Sequence, residues 1–136
     1  MKATTIFQPI AALLAPFAPL SLRLGIAYVF VRHGLMKVHM GLPQVAGSFG
    51  HLGIPIPTVA AAVVIGVETI GAVCLALGLL TRLWAFSMAV EMVVAIWLAV
   101  LPRAPELELL LLAGALALLS LGAGPFSIDR LFQQKG

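Results

Sequence analysis

Arg32, His33 and Lys37 fall within one apolar run of the chain, and Glu68, Glu91 and Glu108 fall singly within three others. An ionisable side chain held at hydrocarbon depth costs at least a few kcal/mol, so each is kept for pairing, for function or for both. The chemistry open to such a set is ligand binding or proton transfer at a buried site. His33 and Glu68 are the candidate catalytic residues. Arg32, Lys37, Glu91 and Glu108 are the candidate ligand-binding residues.

Depth along the helices sorts these groups into two tiers. Counted at about 1.5 Å per residue from Arg23 and Arg82, Arg32 and Glu91 each lie about 13 Å up their helices, with His33 at about 15 Å. Counted back from Leu80, Glu68 lies at about 18 Å, while Lys37 and Glu108 both arrive near 21 Å. The count predicts Arg32, His33, Glu68 and Glu91 near mid-membrane, Lys37 with Glu108 nearer the outer face, and an ion pair between Arg32 and Glu91. Two cations against three glutamates leave one negative charge over, which His33 can cancel by taking up a proton. The same set also reads as a salt-bridge lattice that only fixes helix register. Both readings stand at this level.

Four apolar runs must position these residues. A bilayer core of about 30 Å needs about 20 mostly apolar residues, and runs of that order occupy residues 20–38, 57–80, 83–101 and 106–122. They predict an all-α fold, a four-helix transmembrane bundle forming a single integral membrane domain over residues 1–136. The four-residue rows Ala60, Val64, Glu68, Ala72, Ala76 and Ser87, Glu91, Ala95, Ala99 carry small side chains, which mark where membrane helices touch, so both glutamates should face inward. Gly34 should let a neighbouring helix approach His33 and Lys37. Residues 1–19, cut by Pro9, Pro16 and Pro19, read as a short interfacial segment. Residues 40–57 read as a Gly/Pro-rich loop, a lid or re-entrant segment whose centre at 45–52 can form a short helix. Arg23, at a helix end, is expected to snorkel to lipid phosphates, and Trp84 and Trp97 to anchor at the two interfaces.

Composition agrees with a lipid setting. Of 136 residues 62% are hydrophobic and 10% charged, against about a quarter charged in soluble domains. A net charge of +3 is no phosphate-tracking patch, so no nucleic-acid partner is expected. Cys74 is the single cysteine, which excludes dithiol chemistry within the chain and reads as packing. No phosphate loop, nucleophile elbow or HExxH occurs. His33, Met36 and Met40 share a face, with Met88 and Met92 on another run, a set that would suit Cu(I). Methionine is common apolar filler, however, and His33 is the one histidine inside a run, so neither metal nor haem is predicted. With four crossings, Lys2, Arg82, Arg130 and Lys135 share one side against Lys37 and Arg103, which puts both termini in the cytoplasm.

Arg23-Leu24 at the first run's start and His33-Gly34 with Lys37 at its end are followed by the Phe49 to Pro57 loop with Gly53 and Pro55. Then come Glu68, Leu77-Gly78-Leu79-Leu80-Thr81-Arg82, and Gly122 with Gly124-Pro125-Phe126-Ser127-Ile128-Asp129. In this order the chain resembles the DoxX family of small four-span bacterial membrane proteins. The resemblance implies a helical bundle in the bacterial inner membrane and an association with redox chemistry, since the family is named for a subunit of a quinone-reducing thiosulfate oxidoreductase. Other members are described as partners of thiol-handling or superoxide-detoxifying proteins, and a related eukaryotic group as a receptor-assembly chaperone. Arg32 and Glu91 depart from the family pattern. The function expected is a quinone-docking or quinone-reducing membrane subunit, with electrons from a redox partner protein. The alternative is a non-catalytic scaffold or assembly factor, and a homodimer is open in either case.

Overall fold

Prolines set where helices start. Pro16, Pro19, Pro43 and Pro57 each sit in the first turn of a helical segment, where a missing N–H leaves no gap in the hydrogen-bond ladder. A computed structural model describes residues 2–99 and 104–134. Among them every regular element is helical. α1 (Lys2–Leu14) passes through a 3₁₀ turn at Ala15–Phe17 into α2 (Ala18–Met40). α3 is Leu42–His51, and α4 is Pro57–Leu77 with its Val67–Gly71 turn wound as a π-helix. α5 (Thr81–Val94) continues into a second π turn at Ala95–Ala99, and α6 (Glu106–Leu121) and α7 (Ile128–Gln133) complete the order.

The prolines of the first 19 residues therefore do not cut the chain as the sequence reading expected. Helix runs unbroken from Ile6 to Met40, 35 residues, because Pro16 and Pro19 occupy starts and α1 tolerates Pro9. Upright, that run would be about 52 Å long against a hydrocarbon core of about 30 Å, so its first turns must project or tilt. Ile6, Phe7, Ile10 and Leu13 are all exposed, a surface suited to the acyl boundary. The loop over residues 40–57 does hold a helix, α3, longer than the expected centre; it buries Val45 and Ala46 beside Ala61 of α4.

Three described helices are long and apolar enough to cross a membrane: Ile6–Met40, Pro57–Leu77 and Thr81–Leu98. The expected fourth is α6, at 16 residues about 24 Å and short of a full core. The predicted end of the third run at residue 101, with Arg103, lies outside the described residues. α2, α4, α5 and α6 pack in a ring, α2 against α4 and α6, and α5 against α4 and α6. Lipid tails are as apolar as leucine, so close packing holds such helices together more than water exclusion does. The contacts accordingly use Ala72, Ala85, Ala89 and Ala115, all buried, around Phe30, Leu75, Met88 and Leu118. Large apolar side chains such as Tyr28, Val63, Ile70, Leu83 and Leu110 face outward.

Candidate functional site

The inward face of α2 reads Arg23, Ile26, Ala27, Phe30 and Gly34, a stripe at three- and four-residue spacing. Gly34 carries the closest approach. A Cβ there would stand 2.7 Å from Thr69 Cγ2 and 2.8 Å from the Glu68 carbonyl, distances no real side chain would keep. α4 comes this near at its π turn, which holds Glu68 at 3% exposure. π turns insert one extra residue per turn and recur at functional sites.

One turn beyond Gly34, the Lys37 ammonium donates to both oxygens of Glu68 at 2.6 Å. Glu91 of α5 lines one small cavity with Lys37 and Glu68. Glu91 Oε2 stays buried without a hydrogen-bond partner.

Two cavities meet at this trio. A small one of about 110 Å³ is lined by His33, Lys37, Glu68, Glu91 and Glu108, with Phe30 among its walls. A larger groove of about 610 Å³ runs between α4 and α5, with Lys37 and Glu91 as its charged residues and Val63, Phe86, Val90 and Leu98 among its apolar ones. Those apolar residues are exposed on the outside of the ring, so the groove opens sideways.

Five of the six expected residues thus come together, but not as two tiers. Lys37 pairs with Glu68, the residue placed one tier below it. Side chains lean toward their own helix N-terminus, and α2 and α4 run in opposite directions, so the Lys37 and Glu68 side chains converge on one level. The predicted Arg32–Glu91 pair does not form: Arg32 is exposed, lines neither cavity and lies about 200° around α2 from both Phe30 and Gly34. His33 is itself exposed and lines the small cavity. Met36 and Met40 are exposed while Met88 and Met92 are buried in the core, and of the four only Met92 lines the small cavity with His33.

A second polar cluster lies at the other end of the ring, and sequence reasoning misjudged it. Arg23 is not at a lipid surface: it is fully buried, donating to the Ala76 carbonyl at 3.1 Å and to the Phe126 carbonyl. Gly78, at φ 70°, ends α4 against that guanidinium, where a Cβ would collide with it. The Asp129 carboxylate accepts from the Leu80 and Thr81 N–H groups at 2.7 and 2.9 Å, capping α5, while its own N–H donates to the Gly78 carbonyl. These contacts hold Leu80 at φ 53°, a left-handed conformation costly for leucine. The signal was the Ser127-Ile128-Asp129 stretch, a helix start beside a tight turn. Trp84 also departs from expectation: its indole packs on Gly71 with the N–H buried, because Gly71 leaves a slot for it, whereas Trp97 is exposed.

The DoxX family model matches residues 18–101. A protein of Haemophilus influenzae (strain ATCC 51907 / DSM 11121 / KW20 / Rd), described as uncharacterized, is 33% identical over 130 residues, covering 88% of this chain and 94% of that one. No solved structure matches the chain.

Proposed function

The chain belongs to the DoxX family, and we propose that it serves there as a quinone-binding membrane subunit whose site is the groove ending on Lys37 and Glu91. That groove carries the reading. Its apolar length and sideways opening suit an isoprenoid tail arriving through the bilayer, and its inner end offers a cation and a carboxyl to headgroup carbonyls. Reducing a quinone to a quinol takes two electrons and two protons. The chain has no electron carrier in its sequence, so a redox partner protein supplies the electrons. Lys37 and Glu91 hold the headgroup, and Glu68 fixes Lys37 and passes a proton toward it. His33 and Glu108, lining the adjoining cavity, connect that proton to the membrane face.

The same reading makes α6 the fourth crossing, so that both termini share the cytoplasmic side of the bacterial inner membrane. Lys37 is engaged by Glu68 and drops out of the positive-charge count on the far side, leaving Arg82 and Arg130 on the near side as the clearest markers.

The test is purification in mild detergent, extraction of bound quinone and titration with a short-chain quinone. The full chain should bind it, and Glu68→Gln should weaken binding about tenfold, near 1.4 kcal/mol. His33→Ala should spare binding and slow quinol formation in membranes. A chain that neither carries nor binds quinone, with Glu68→Gln affecting only thermal stability, would sink this reading and leave the scaffold.

A further inference from the structure

A third hollow, of about 390 Å³, lies where α5 begins, α6 ends and α7 packs, and it is lined by Arg82, Gly122, Asp129 and Arg130 among others. Its volume lies in the range of small-ligand sites, roughly 300–1,000 Å³. Two arginines from different elements line it. That of Arg82 lies across Gly122, 3.6 to 4.0 Å from where a Cβ would stand. Neither Arg82 nor Arg130 makes a side-chain hydrogen bond or ion pair with the described residues.

The acid and the hydroxyl in the hollow are already engaged. Asp129 holds the Leu80 and Thr81 N–H groups, and Ser127 donates to the Gly124 carbonyl while accepting from the Arg130 N–H. Two unengaged arginines lining one space can offer an anion planar donor pairs, which match a phosphate's oxygens better than a lysine would. The level in the membrane selects the source. The hollow sits at the ends of spanning helices, the headgroup zone, and its surroundings carry the exposed apolar side chains Leu121, Phe126, Leu131 and Phe132, placed to meet acyl chains.

We propose that the Arg82–Arg130 hollow binds the phosphate of an anionic phospholipid. The site is separate from the quinone groove and does not depend on it. Its role is to fix the α5 start, α6 end and α7 against the membrane surface through one bound headgroup.

The experiment compares binding of phosphatidylglycerol and phosphatidylcholine to the full chain in detergent by native mass spectrometry, with inorganic phosphate as competitor. A preference of about thirtyfold for the anionic lipid is expected, the effect of two cations at an anionic surface. The preference should fall to about twofold or less in the doubly substituted Arg82→Gln/Arg130→Gln chain. Equal binding of the two lipids by the unsubstituted chain would overturn the proposal even if the variant failed to fold. Displacement by millimolar inorganic phosphate with no lipid preference would overturn the lipid source, and an unchanged preference in a folded variant would overturn the residues.

Discussion

The two polar clusters of this bundle contain similar side chains and do different work. At one end Arg23 and Asp129 are answered by backbone groups: two carbonyls for the guanidinium, and two N–H groups for the carboxylate. Arg23 lines none of the three cavities. Nearer the other end Lys37 and Glu68 answer each other beside Glu91, and the three face open space on two sides. Backbone acceptors cannot change protonation or leave, so the first cluster is a fastener. Side-chain partners can exchange protons and be displaced by a ligand, which is what the proposed site requires of the second. Burial of charge marks both alike; what separates them is the kind of partner and the space beside it.

The largest effect should come from cutting the fastener. Arg23→Ala leaves the Ala76 and Phe126 carbonyls without their donor and opens a void in a fully buried position, a loss of about 3 kcal/mol or more. Thermal melting in detergent should fall steeply or expression fail. A stable Arg23→Ala chain would erase the distinction between the clusters.

Gly34→Ala should be intermediate and should discriminate. The added Cβ meets the Glu68 backbone, which cannot swing away, so α2 and α4 must part at a cost of about 1–3 kcal/mol. Because Lys37 lies one turn on, quinone binding should fall more than melting temperature does. If stability dropped and binding held, the Lys37–Glu68 contact would be a fastener too.

The smallest effect is expected at Gly25→Ala, on the same helix. A Cβ there meets nothing within 4 Å, so replacing a helical glycine should stabilise by up to about 1 kcal/mol, with binding unchanged. Measured beside Gly34→Ala it separates helix propensity from the close approach.

Much of the fold was legible before the structure. Apolar runs, proline positions and the small-residue rows through Glu68 and Glu91 are local properties, and they placed the inward-facing glutamates and the Gly34 approach. Even the exclusion of Arg32 was readable, since Phe30 and Gly34 define a stripe that Arg32 opposes. Depth was counted along each helix without turning it, and that is why Arg32 was assigned a partner. The groove was not legible: Val63, Phe86 and Val90 carry the same outward apolar signature whether they line a cleft or face lipid.

The sequence by itself determined that the chain is helical, apolar and supplied with two inward glutamates, Glu68 and Glu91, because run length and periodicity act over a few residues. Only the tertiary structure decided which cation each acid meets. Pairing depends on helix direction, rotation and the lean of long side chains, and these bring together Lys37 and Glu68, or Asp129 and the start of α5, across separations in sequence that no local rule spans.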